Sequence, residues 1–183
     1  YLVVKLGYAL PINLHFFEAH FKVHYTKGFR LTYPIPLPTT VAGMFGSMLG
    51  IRQNELLNEF SDCKFGACIL NNPRESIDNY TYIQYGKNRI GVTKMHVIVE
   101  PKYSIMIANN DRNILKDIKD KLNCKIYYLP FGGQNDFFVK DWEVLDIIET
   151  SYSTRISNYL PADYYDGIEE DTTVEILPVK HKI

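Results

Sequence analysis

The sequence predicts an α+β domain: an antiparallel sheet with two helices packed on one face. Three observations carry this. Apolar runs of strand composition alternate with two helical stretches in the order strand, helix, strand, hairpin, strand, helix, strand. Gly86-Lys87-Asn88-Arg89 punctuates two β-rich arms as a hairpin does. At 183 residues with 46% apolar and 22% charged residues, the chain has the size and composition of one packed domain.

Taken in order, VVKLGYAL has strand composition, and Pro11 is expected to end it because proline gives no amide hydrogen to a sheet ladder. INLHFFEAHFKVHYTKGFR keeps neither a helical nor an alternating period, so it reads as a long connection with local structure. In LTYPIPLPTT each residue before a proline is pushed out of the α region, so Tyr33, Ile35 and Leu37 are extended and 33–38 is a stiff rod. Thr39 or Thr40 then stands where the N-cap belongs of a helix, VAGMFGSMLGI, that continues with a break near Gly50 through QNELLNEF. The first amides of that helix lack internal partners and, with the helix dipole, suit an anion such as phosphate. Gly43, Gly46 and Gly50 each cost about 0.8 to 1 kcal/mol against Ala inside a helix, which predicts close approach of a sheet or a ligand.

KFGACILNN is a strand, NYTYIQYGKNRIGVTKMHVIVE the hairpin, and KYSIMIAN a strand after Pro101. NDRNILKDIKDKLNC is a helix with Asn109 or Asn110 as N-cap and Ile114, Leu115, Ile118 and Leu122 on one stripe. IYYLPFGGQNDFFVKDWEVLDIIETSYS continues as strand, glycine loop and strand. The whole is the ferredoxin-like (RRM-like) split βαβ pattern, βαββαβ, over 1–150, with a hairpin insertion near 78–100 and a small C-terminal β extension at 151–183 packed on it.

No apolar run approaches the roughly 20 residues of a membrane-spanning helix, so no membrane partner is expected. The first residues lack both an initiator Met and the layout of a signal peptide, so the chain is expected to begin slightly inside a longer one and to be cytoplasmic. Cys63, Cys68 and Cys124 match no zinc spacing and read as reduced, packed thiols. The net charge of −1 conceals segregation. Between Glu18 and Glu55 there is no carboxylate, while Lys22, Lys27, Arg30 and Arg52 lie inside; between Asp78 and Glu100 the cations Lys87, Arg89 and Lys94 stand among Tyr80, Tyr82 and Tyr85. These acid-free stretches, 19–54 and 79–99, offer the cations and aromatic platforms that hold single-stranded RNA. Acids collect in DYYDGIEEDTTVE, whose tyrosines, with Tyr152 and Tyr159 before them, would suit a protein adaptor instead.

TYPIPLPTTVAGMFGSMLGI resembles the signature of the CRISPR-associated protein family conventionally numbered five, of the RAMP superfamily; YLPFGGQNDF, the opening strand, TKMHVIVEPKY and ILPVK resemble it too. The resemblance implies a type I Cascade subunit of antiviral defence that binds the 5′ handle of CRISPR RNA and caps the backbone filament. Its partners would be that RNA, the backbone subunit and the large subunit, with the hairpin near Gly86 as a thumb. No cofactor and no small-molecule substrate are implied. The expected RNA-binding residues are His24, Lys27, Arg30, Tyr33, Thr39, Thr40, Lys94, His96, Gly132 and Gly133, the glycines permitting backbone to come near a phosphate. The alternative the family implies is a metal-independent endoribonuclease that processes precursor CRISPR RNA. Tyr33 stands at its tyrosine position, and Lys94 and His96 near its lysine-histidine pair, separated here by Met95; residues two apart on a strand face one side. His15, Glu18, His20 and His24 lack the spacing of a zinc helix, so no metal is expected. His20 and His24 read as RNA-facing or as satisfied, partly buried residues.

Overall fold

A computed structural model of the chain describes residues 7–24, 26, 28–84, 86 and 89–151. Lys27, residues 85, 87 and 88 of the hairpin tip, and 152–183 of the expected C-terminal extension lie outside these.

The fold is mixed α and β, rich in sheet with few helices. β1 (Gly7–Phe16) turns Leu10, Ile12, Leu14 and Phe16 toward the core, the period of two that a strand imposes. One edge of β1 pairs antiparallel with β9 (Lys102–Asn109), which pairs antiparallel with β6 (Lys64–Ile69). Its other edge pairs with β10 (Val139–Val144) and β11 (Ile148–Thr150) in turn. The strand order is β10-β1-β9-β6. Between β1 and β6 the chain forms α1 (Pro38–Leu49) and the short α2 (Leu56–Glu59); between β9 and β10 it forms α3 (Arg112–Cys124). Val41, Met44, Phe45 and Met48 of α1 and Leu115, Ile118 and Leu122 of α3 join Leu10, Ile12, Leu14, Tyr103, Ile105 and Ile107 in one apolar cluster. Each such side chain stabilises by about 1.5–3 kcal/mol when fully buried.

The second sheet is built on the hairpin β7 (Arg74–Gln84) and β8 (Arg89–Val99), paired over their full length. β2 (Glu18–Ala19) and β4 (Phe29–Arg30) share the other edge of β8, β2 antiparallel at Ile98–Val99 and β4 parallel at Lys94–Met95. β3 (Phe21–Lys22) pairs with β5 (Thr32–Tyr33). The two sheets meet at a corner where two chain segments bend together. Phe17 breaks β1 from β2, Glu100 breaks β8 from β9 with φ 51°, and Glu100 N donates to Phe17 O at 2.9 Å. A smaller apolar cluster, Met95, Val97 and Phe137 with Tyr80 against it, ties the hairpin to the loop before β10.

Several expectations are corrected. Pro11 does not end β1. Its carbonyl accepts from Leu145 N at 3.1 Å, on the edge where β10 has stopped at Ile12 and β11 has not begun until Ala9, so the missing amide hydrogen falls in a gap of the ladder. The expected long connection contains the end of β1 and three two-residue strands. α1 begins at Pro38, not at a threonine cap: Leu37 is the N-cap residue, no side chain caps the helix, and Thr39 and Thr40 lie in the first turn. The cap of α3 is Asp111, whose Oδ1 accepts from Asn113 N at 2.8 Å, rather than Asn109 or Asn110. Ile114 stands off the buried stripe, exposed. IYYLP forms no strand, and only Phe131 bridges to Phe138. Of the thiols, Cys63 and Cys68 are half-buried and Cys124 is exposed.

The three glycines of α1 have different reasons. Gly50 adopts φ 73° as the left-handed cap, with Ile51 N donating to Gly46 O at 2.8 Å, the six-to-one bond of a Schellman end. A Cβ on Gly46 would collide with Leu56 of α2, whereas one on Gly43 would meet nothing within 4 Å.

Candidate nucleic-acid interface

The parallel pairing of β4 with β8 joins the two acid-free stretches, setting Phe29 opposite Lys94 and Arg30 opposite Met95. The Thr93 hydroxyl donates to Gly28 O at 3.1 Å just beyond the paired residues. There β4 leaves the edge of β8 and a shallow groove opens, lined by Lys22, Thr26, Gly28, Arg30, Tyr82, Val92 and Thr93, none of them acidic. The Arg30 guanidinium carbon stands 5.9 Å from the Tyr82 ring centroid, within cation–π range.

The expected site residues divide. Arg30 lines this groove. Lys94 and His96 alternate with the buried Met95 and Val97, so the two do share a face, as two-residue spacing predicts. It is the opposite face from Arg30, which pairs in register with Met95. His96 Nε2 lies 3.0 Å from Glu75 Oε2. His24 is exposed in the turn after β3. Thr39 is exposed and Thr40 half-buried at the start of α1, behind a proline rod whose Pro34 carbonyl accepts from Tyr103 Oη at 3.0 Å. Tyr33 is buried, 2% exposed, in the main cluster.

Gly132 and Gly133 make their close approach to the protein's own backbone. His20 N donates to Gly132 O at 2.7 Å, and a Cβ on Gly132 would stand 3.1 Å from Ala19 Cα. Gly133 has φ 94°, and a Cβ there would collide with the His20 carbonyl. The glycines were expected to let backbone near a phosphate; the close approach the structure shows is to Glu18–His20 of the chain itself.

His15, Glu18, His20 and His24 do not converge: Glu18 accepts from Tyr80 Oη at 3.4 Å, His20 is fully buried, and His24 is exposed. Among the described residues no group of three His, Cys, Asp or Glu is placed to hold a metal ion. No helix among them is long and apolar enough to cross a membrane. Burial, with the carboxylates of Glu18 and Asp78, pushes the Tyr80 phenol up to about 12. Lys22 and Tyr82 were members of the acid-free stretches without being singled out, and Gly91 carried no signal. Which members meet depends on a pairing between strands too short to show a period.

No protein-family model matches the chain, and no curated protein sequence does. Among solved structures it is similar to a chain described as "CRISPR RNA-guided surveillance complex", at 19% identity and TM-score 0.56, over 72% of this chain and 60% of that one. It is similar also to "Crystal structure of Cas protein" (14% identity, TM-score 0.42, 69% of this chain and 57% of that one). A third is "Cryo-EM structure of the Type III-B Cmr-beta bound to cognate target RNA" (16%, 0.42, 76% and 61%). The chain thus spans about 60% of the length of the first of these. At such identity the likeness is one of fold: this sheet-rich α/β fold is similar to that of a chain described as a CRISPR RNA-guided surveillance complex.

Proposed function

We propose that this chain is an RNA-holding subunit of a CRISPR-Cas effector, and within that class the type I Cascade subunit that binds the 5′ handle of CRISPR RNA and caps the backbone filament in the cytoplasm. The observation that carries the reading is the acid-free groove along β8, where Lys22 and Arg30 from one stretch meet Tyr82 and Thr93 from the other. Cations beside an exposed aromatic ring, with no carboxylate among them, match what a flexible polyanion with stackable bases requires.

Further support comes from the topology. A strand order of β10-β1-β9-β6 with helices between β1 and β6 and between β9 and β10 agrees with our reading of a ferredoxin-like βαββαβ frame. The hairpin supplies a surface for a neighbouring subunit: Ile77, Ile83, Ile90 and Val92 are each more than 60% exposed on the face that carries Lys94. Arg30, Thr39, Thr40, Lys94 and His24 remain the proposed RNA contacts at the surface. Of the endoribonuclease alternative, Lys94 and His96 share a face, but Tyr33 is buried among apolar side chains.

Anisotropy of end-labelled handle RNA tests the reading. Affinity is expected to fall with salt with a log–log slope of about −0.7 per contacted phosphate, and Lys22→Glu with Arg30→Glu to weaken binding at least roughly tenfold. Affinity indifferent to salt and to both substitutions would leave a protein adaptor. Specific cutting of repeat RNA in EDTA, lost in His96→Ala, would instead establish the nuclease.

A further inference from the structure

We infer that Tyr82 is a stacking platform for one unpaired base of a single-stranded RNA, seated on Gly91 and lying under the Arg30 guanidinium. This rests on the RNA-holding reading above and adds a base contact to it.

Tyr82 and Gly91 stand directly opposite each other on β7 and β8. A Cβ on Gly91 would come within 2.6 Å of Tyr82 Oη and 2.7 Å of Cε1, so the ring occupies the space that any other residue at 91 would fill. Gly91 shows no left-handed φ, so the backbone does not require glycine there; the ring does. With no side chain in the way, the phenol reaches across β8 toward β4, where Arg30 lies 5.9 Å from its centroid.

The contrast with Tyr80, two residues earlier on the same face, shows that this placement is not core packing. Tyr80 packs edge-on against Phe137, with centroids 6.0 Å apart, and reaches Glu18. Tyr82 belongs to neither apolar cluster and is 43% exposed. An exposed ring with a guanidinium 5.9 Å over its centroid, and Lys22 on the same groove, supplies a π-face that a base reaches by moving the Arg30 head group onto its phosphate. The ring takes any base, so the platform adds affinity and register without reading sequence.

The test uses a short single-stranded RNA carrying 2-aminopurine at successive positions, with the full chain. Wild type is expected to quench the probe at one position. Tyr82→Leu is expected to abolish that quenching and weaken binding roughly 5- to 150-fold, the range of one base–aromatic stack. Tyr82→Phe, which keeps the ring, is expected to retain the quenching. Gly91→Ala, which leaves every groove side chain chemically intact, is expected to lose it by displacing the phenol, with the melting temperature checked alongside. RNA bound with a steep salt dependence but quenched at no position, or bound equally well by Tyr82→Leu, overturns the platform and leaves the RNA-holding reading standing. Absence of binding by wild type overturns both.

Discussion

His20 shows what one buried side chain does to pH response. Its Nδ1 lies 2.8 Å from the His96 carbonyl, which only accepts, so Nδ1 carries the hydrogen and Nε2 is a bare acceptor, buried with no partner among the described residues. Burial, and then the positive charge of Arg30, hold its pKa below the ordinary 6.5, against the opposing pull of the His96 carbonyl. The folded chain therefore resists a proton that the unfolded chain accepts. Its contribution to stability is complete above about pH 6.5 and is lost as pH falls below that. The urea midpoint is expected to fall between pH 7.5 and 5.5, and His20→Asn, which keeps a donor but takes no proton, to flatten part of the fall. His15, lowered by burial and by Lys140 and Lys102, acts with the same sign, so the difference between wild type and variant is the measure. An equal fall in both would remove His20 as a cause. That His20 would be buried outright was not legible, because its flanking residues show no period.

Among the elements, α3 was legible because its signals are local. Leu115, Ile118 and Leu122 repeat at helical spacing, whereas the cap was expected at Asn109 or Asn110 and is Asp111, the next residue of a run whose three members can all cap. Asp111→Ala is expected to cost about 1 kcal/mol and Leu115→Ala about 2–5 kcal/mol in denaturant melts. Equal costs would mean that the helix is not held by its buried stripe. β1 was misread at Pro11 because the penalty for proline depends on whether the neighbouring strand is present at that position, which no local pattern records. Likewise IYYL has strand composition, yet it is drawn past the end of α1, where Tyr127 N donates to Met48 O at 2.9 Å and the ring packs on Gly50.

At the scale of the molecule, two apolar clusters of unequal size among the described residues divide the labour. The larger holds the helices on the main sheet. The smaller, centred on Phe137, fixes the hairpin sheet that carries the groove. Phe137→Ala is expected to cost about 3–5 kcal/mol and to release amide exchange at 94–98 of β8 before that of β9; uniform release would show a single cooperative unit. By itself the sequence determined the order of the longer strands and the helices, the hairpin, and the segregation of acids away from two aromatic, cationic stretches, since all of these follow from composition and spacing along the chain. Only the tertiary structure decided that Arg30 and Tyr82 meet, that Lys94 and His96 face the other way, and that Tyr33 is sealed in the core. Two-residue strands such as Phe29–Arg30 carry no period of their own, so their pairing, and with it the face each side chain occupies, is set by the packing around them.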